Sequence, residues 1–389
     1  MTKAPANEFT PRDNPAFILH GKLNTSYETI GPDEVLIEVK HTGICGSDVH
    51  FYNAGKIGLV SCCSAMCLGH ESAGEVVKLG ENLRRKAEMA VAQGDAAVGP
   101  SALQVGDRVA LEPGTTCRMC DDCRTGQYQI CEHMQFAAYP PFHGTLQRYY
   151  KLDLVYKLPD SIETIYGAMM EPLSVAVHSI ANVGQLRTGQ NVLVMGAGPV
   201  GLLAMAVAKG LGAKRVIGVD INLDRLSFAR SYAATDVYAP PPMEEGEAKA
   251  VYSLRAAKAL LSSLRIPERG QGSIDLVVDA TGAETCIQMG LNAVRPGGTH
   301  VQTGFGPPDV AIPMFRVITN EIKIKGSWRY GSGDYPLAID LVDRGLVDLK
   351  PLLTHTFPFE QALEAFELTR LGKDKDGNPV IKCVIHGPQ

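Results

Sequence analysis

The stretch Asn191-Val192-Leu193-Val194-Met195-Gly196-Ala197-Gly198-Pro199-Val200-Gly201 decides the fold of this chain. A short apolar run gives way to a G-x-G-x-x-G turn. An alanine- and leucine-rich stretch then runs to Gly212, and Arg215-Val216-Ile217-Gly218-Val219 leads into Asp220. This order predicts strand, tight turn, helix and strand. In a dinucleotide-binding unit the first glycine, here Gly196, makes the turn; the second, Gly198, admits the pyrophosphate; the third, Gly201, lets helix and sheet approach. Pro199 belongs to the same turn, and the helix N-terminus faces the phosphates with unpaired amides. Asp220, 19 residues beyond Gly201, is placed to accept hydrogen bonds from the adenosine ribose and to repel a 2′-phosphate, which favours NAD over NADP.

Working outward, the alternation continues. Arg225 to Ala234 reads as a helix, Ile274 to Val278 as a strand, Glu284 to Val294 as a helix ended by Pro296-Gly297-Gly298, and His300 to Gly304 as a strand. Between them, Pro240-Pro241-Pro242 marks a loop before a helix over Ala248 to Leu264. Successive strand and helix units imply a doubly wound parallel sheet with helices on both faces, an α/β class. A helix over Phe359 to Thr369 and a strand over Val380 to Ile385 close the chain. The N-terminal part reads differently. Val35, Ile37 and Val39 alternate at period two, and glycines at 43, 46, 55, 58, 69, 74 and 80 chop the region into short strands and turns, so it should be mostly β. Glu81 to Gln104 lacks an apolar period and reads as a surface excursion.

Two groups of side chains carry chemistry. Cys45, His70 and Glu71 are a thiol, an imidazole and a carboxylate at two nearby points, three ligand types that zinc accepts while keeping one position open for catalysis. The alternative is that Cys45 and His70 are ordinary buried residues and Glu71 a solvated charge. Cys117-x-x-Cys120-x-x-Cys123, followed by Cys131, puts four thiols in fifteen residues with Asp121, Asp122 and Gly126 between them. Four thiolates close a tetrahedral zinc, so this site is structural, clamping a lobe too small for a core. Cys62, Cys63 and Cys67 lack that turn spacing and read as plain thiols.

The 389-residue length suggests two domains, and 45% hydrophobic with 20% charged residues describes an ordinary folded protein. A formal charge of −5 offers no basic footprint for nucleic acid. Met1 to His20 lacks an apolar core and no run of about 18 apolar residues occurs, so no secretory signal or membrane span is expected, and the location should be cytoplasmic. In such a chain the ten cysteines point to metal rather than disulfides.

Gly43-Ile44-Cys45-Gly46-Ser47-Asp48-Val49-His50, Leu68-Gly69-His70-Glu71, the four-cysteine lobe, Glu171-Pro172-Leu173-Ser174-Val175 and the glycine turn together resemble the zinc-dependent medium-chain dehydrogenases. Gly326-Ser327-Trp328-Arg329-Tyr330 and the Glu171 to Val175 motif resemble the polyol branch, which contains sorbitol, xylitol and L-arabinitol dehydrogenases, and Ser174 to Ser179 with Arg329 to Tyr335 are most similar to the fungal xylitol dehydrogenases. The resemblance implies a GroES-like catalytic domain over residues 1–172, a Rossmann NAD-binding domain over 173–328 and a return to the catalytic domain over 329–389. It implies reversible oxidation of a polyol, xylitol to D-xylulose, with L-arabinitol or sorbitol as alternative substrates, and a homotetramer; a dinucleotide-binding relative without catalysis is the remote alternative.

The resemblance also carries roles residue by residue. It makes Cys45, His70 and Glu71 ligands of a catalytic zinc, with Glu171 a further ligand or the acid that holds the metal's water or substrate. Cys117, Cys120, Cys123 and Cys131 become ligands of a structural zinc. Ser47 and His50 stand where relatives place a proton relay, although His50 reads equally as a surface imidazole. Val200, Asp220, Arg225, Thr303, Gly304, Phe305, Ser327, Trp328 and Arg329 match cofactor contacts. Phe51, Phe136, Glu171, Arg329 and Tyr330 match substrate contacts, with Phe51 replacing a tyrosine of animal sorbitol dehydrogenases.

Overall fold

In the computed structural model the described residues are 16, 18–19, 29–58, 60–62, 64–93 and 103–388. They divide into two compact units. One holds the chain up to Thr125, Cys131–Glu171 and the part from Leu353 on; the other holds Gly126–Ile130 and Pro172–Leu352.

The second unit is built on a six-stranded sheet in the order Asp236–Tyr238, Arg215–Val219, Asn191–Met195, Ile274–Asp279, Val294–Gln302, Lys323–Gly326. Every pairing is parallel, and in chain order the strands run 3-2-1-4-5-6, the doubly wound dinucleotide-binding arrangement. Helices on both faces explain why Asn191–Met195 is buried along its whole length. Leu193, Met195, Ile217, Leu260, Val277 and Leu291 belong to its core. Register matters for function: Met195 lies beside Val219 and Asp279, Asp279 beside Gln302, and Gln302 beside Gly326. The turns that leave these strands therefore emerge along one edge, the carboxyl edge where such sheets bind ligands.

The first unit carries a seven-stranded sheet. Val155–Lys157, Arg108–Leu111, Glu71–Leu79, Val35–Gly43, Lys382–His386 and Leu353–Phe357 follow in that order, with Tyr149–Leu152 also paired to Val35–Gly43. The last strand of the chain thus lies beside one of the first, with Val384 opposite Gly43.

Four expectations change. Residues 46–54 form a helix, Gly46–Ala54, rather than a turn: Cys45 is its N-cap, the Asp48 carboxylate accepts from the Cys45 amide at 3.1 Å, and Gly55 ends it at φ +63°. Glu81–Gln93 is a helix, not an irregular excursion. It is polar on most of its surface, with Glu81–Arg85 and Arg84–Glu88 pairs at 3.9 Å, and only Leu83 among its described side chains is buried, so an apolar stripe never shows in the sequence. Pro296 to Gly298 lie inside the strand Val294–Gln302, at an irregular start where the register shifts. The second domain boundary falls at 352 and not 328. The cause is packing: the segment after helix Asp334–Asp343 lies on the dinucleotide unit, where the Tyr232 hydroxyl donates to the Asp348 carbonyl at 2.8 Å and a Cβ on Gly210 would meet Leu346 and Leu341. Cys63, most of Met1 to His20 and residues 94–102 of the Glu81 to Gln104 interval lie outside the described residues. No helix among the described residues is long and apolar enough to cross a membrane.

Candidate metal centres and cofactor site

Strand pairing assembles the mixed-donor centre. Gly43 at the end of one strand faces Glu71 at the start of its neighbour, and the chain turns through Cys45 into helix Gly46–Ala54. As a result the ligand atoms of Cys45, His70 and Glu71 lie within 4.8 Å of one another. His70 and Glu71 are buried and Cys45 is half-buried. Glu171 is buried near the start of helix Met170–Val177 and does not join that group, although its charge is felt at Lys382.

Asp48 organises the centre from behind. Its carboxylate is 1% exposed, accepts from the Gly69 amide at 3.0 Å, and stands 3.4 Å from His70 Nδ1. Ligating histidines usually give their second nitrogen to such a carboxylate, which leaves Nε2 for the metal. Burial opposes a charge on His70, but Asp48 and the Cys45 sulfur outweigh it and hold the imidazole pKa well above its ordinary value. Ser47 Oγ lies 3.5 Å from His70 Nε2, and His50 is exposed on the same helix. The Phe136 ring is 5.7 Å from the His70 ring. Phe51, expected among the substrate contacts, is 3% exposed and belongs to the apolar core with Ile44, Met66, Leu146 and Phe366. An aromatic ring without a hydroxyl has no reason to leave that core.

The four-cysteine lobe has the geometry its spacing implies. All four sulfurs lie within 4.8 Å of one another, with Cys117 to Cys123 at 3.9 Å and Cys117 to Cys131 at 3.6 Å. Zinc–sulfur bonds of about 2.3 Å place tetrahedral sulfurs about 3.8 Å apart, so the donor set fits the ion. Backbone amides support the sulfurs: Cys120 donates to Cys117 Sγ at 3.3 Å and Cys123 to Cys120 Sγ at 3.5 Å. Amides of Met119 and Cys120 lower the Cys117 thiol to about 6, while burial and the neighbouring cysteines raise those of Cys120 and Cys131, so the shared cluster releases its first proton at Cys117. Among the described residues these two are the groups of three or more His, Cys, Asp and Glu side chains placed to hold a metal, and Cys62 and Cys67 belong to neither.

The glycine turn fits a dinucleotide. Gly196 has φ +94°, a Cβ on Gly201 would stand 1.9 Å from the Gly196 carbonyl oxygen, and a Cβ on Gly198 would meet nothing within 4 Å, so that face is open to a phosphate. Helix Pro199–Gly210 has no side-chain cap, leaving its first amides for an anion, and Val200 is half-buried there. Asp220 Oδ2 accepts from the Ala197 amide at 2.8 Å and Oδ1 from the Asn222 amide at 2.8 Å, with lone pairs remaining for ribose hydroxyls. Arg225 is exposed on the first turn of helix Leu223–Tyr232. Thr303 and Gly304 donate their amides to the Asp279 carbonyl at 2.9 and 2.8 Å. Thr303 Oγ1 and Ser327 Oγ are buried without a hydrogen-bond partner, two polar groups that a ligand at this edge would satisfy. Phe305 and Trp328 meet edge to face at 5.5 Å, the Arg329 guanidinium stands 4.7 Å from the Trp328 ring centre, and Tyr330 is buried against Tyr335.

Asp220→Ala is expected to raise the ratio of kcat/KM with NADP to that with NAD by roughly tenfold or more, because the repulsion of a 2′-phosphate goes with the carboxylate. Steady-state rates with both cofactors check this, and an unchanged ratio removes Asp220 from the selectivity.

Two residues escaped the sequence reading. Asp48 lies inside a quoted motif, and its signal was a carboxylate three residues after a helix cap. Lys382 lies 311 residues from its partner Glu71, and its only signal was a single charge in the apolar run Val380 to Ile385.

Residues 31–160 match the model of the alcohol dehydrogenase GroES-like domain, and residues 199–344 that of the zinc-binding dehydrogenase. The chain belongs to the zinc-dependent medium-chain alcohol dehydrogenase family. Among its relatives, the D-xylulose reductase A of Aspergillus niger is 44% identical over 386 residues, 97% of this chain and 98% of that protein. A probable D-xylulose reductase A of Aspergillus clavatus is 42% identical over 390 residues, 98% of this chain and 99% of that one. An alcohol dehydrogenase from Thermus sp. ATN1 superposes with a TM-score of 0.76 at 26% identity, covering 96% of this chain and 99% of that one. An alcohol dehydrogenase from Escherichia coli CFT073 solved with NADH gives 0.75 at 25%, covering 93% and 94%.

Proposed function

We propose that this chain is a zinc- and NAD-dependent polyol dehydrogenase that interconverts xylitol and D-xylulose. The observation that carries the reading is the three-donor centre of Cys45, His70 and Glu71, which leaves a tetrahedral metal one open position. Likeness along nearly the whole chain to D-xylulose reductases supports the substrate.

Oxidation of a secondary alcohol removes a hydride from carbon and a proton from oxygen. When bound, zinc supplies Lewis acidity that lowers the pKa of the substrate hydroxyl, and NAD supplies the hydride acceptor. Cys45, His70 and Glu71 hold the metal, and Asp48 fixes the tautomer and orientation of His70. Glu171 takes the hydroxyl proton through water and holds the substrate; Ser47 and His50 form the competing path. Asp220 and the 196–201 turn hold the adenosine and pyrophosphate. Arg329 and Tyr330 bind neighbouring hydroxyls of the polyol, and a donor left unpaired by a substrate lacking that hydroxyl discriminates against it. The family reading also makes the enzyme a cytoplasmic homotetramer.

A panel of xylitol, L-arabinitol and sorbitol, each with NAD and NADP, tests the assignment. Xylitol with NAD should give the highest kcat/KM; a clear preference for L-arabinitol or sorbitol moves the assignment to that substrate, and no turnover of any of them leaves only a dinucleotide-binding protein.

A further inference from the structure

Lys382 reaches the mixed-donor centre from the last strand of the chain and is 3% exposed. Its ammonium donates to Glu71 Oε2 at 2.5 Å and to the Ile44 carbonyl at 3.1 Å. Glu71 Oε2 also lies close against Gly43, where a Cβ would stand 2.4 Å from it. One carboxylate oxygen is therefore seated in a socket made by a buried cation and a missing side chain.

We propose that Lys382, together with the space kept by Gly43, positions Glu71 so that only its Oε1 is offered to the catalytic metal. A carboxylate can bind zinc through one oxygen or two. With Cys45 and His70, a second oxygen would fill the position that catalysis needs open. Lys382 withholds that oxygen, and it also supplies the opposite charge that a buried carboxylate requires. Lys382 touches neither substrate nor cofactor in this role; it acts through Glu71. The inference rests on the reading of Glu71 as a metal ligand.

The test uses the full-length zinc-loaded protein and its cobalt-substituted form, with Lys382→Met, Lys382→Arg, Gly43→Ala and Glu71→Ala variants. Zinc release into dipicolinate is followed for each, and the visible spectrum of the cobalt protein reports coordination number. Losing the partner that orients a ligand commonly weakens metal binding by about 10- to 100-fold. Lys382→Met should therefore release one of two zincs faster by that order, with the four-cysteine zinc retained as an internal standard. Its cobalt bands should weaken as coordination rises above four. Lys382→Arg should restore wild-type behaviour, and Gly43→Ala should reproduce the defect by pushing Oε2 from its seat. Wild-type release and spectra in both Lys382→Met and Gly43→Ala overturn the proposal. If Lys382→Met loses both zincs by failing to fold, Gly43→Ala decides alone. Wild-type zinc release from Glu71→Ala overturns the ligand reading itself, a failure distinct from that of Lys382.

Discussion

Cys45→Ala should leave one zinc per chain in place of two and slow NAD-linked polyol oxidation by at least about 10³-fold, a barrier increase of roughly 4 kcal/mol. Two ligands, His70 and Glu71, are too few to hold zinc against dilution in a site that binds with three. The loss removes the Lewis acid, on which acidification of the alcohol depends. The fold should survive. Cys45 is half-buried and caps helix Gly46–Ala54 through its backbone, and the Asp48 carboxylate still accepts the amide at position 45. NADH binding should also survive, because the glycine turn and Asp220 belong to the other unit. Zinc per chain by atomic emission, the polyol rate and NADH fluorescence titration therefore give three separate readings. Two zincs retained, or a rate within tenfold of wild type, would show that Cys45 is not an essential ligand.

How much of this was legible in the sequence depends on the distance between cooperating residues. The glycine turn, its helix and Asp220 form one local unit of about 30 residues, in which Gly196 turns at φ +94°, Gly201 is closely packed and Gly198 faces open space. The four cysteines were equally local. Cys45, His70 and Glu71 were legible as ligand types, but their convergence required the pairing of Gly43 with Glu71. Lys382 was out of reach, because its neighbourhood exists only once Lys382–His386 lies beside Val35–Gly43. Helix Glu81–Gln93 was missed for a different reason: among its described side chains, ion pairs and the buried Leu83 stabilise it, and neither leaves an apolar period. Phe51 carried a role by resemblance alone, and its packing in the apolar core could not be read from its own short stretch.

Cys131→Ser should remove the other zinc and open the lobe to proteases while the mixed-donor zinc stays bound. No residue from Cys117 to Ile130 is fully buried. Helix Asp121–Arg124 buries no residue, Met119 is 78% exposed, and Arg118 adopts φ +58°. An ion pair joins Arg118 to Asp153, between strands Tyr149–Leu152 and Val155–Lys157, and Arg118 is half exposed, so that tie contributes at most about 1 kcal/mol. A four-thiolate zinc contributes far more, about 10–16 kcal/mol in small zinc-binding peptides, and that free energy is folding free energy for the segment it closes. Removing one thiolate should therefore unfold the lobe locally. Trypsin should then cut after Arg118 or Arg124 at least about tenfold faster than in the wild-type protein, a modest expression of a change that size. The sheets need not follow, because Val35–Gly43 and Glu71–Leu79 are built on their own buried core. Two zincs in Cys131→Ser with wild-type resistance to trypsin would show that packing, and not the metal, holds the lobe.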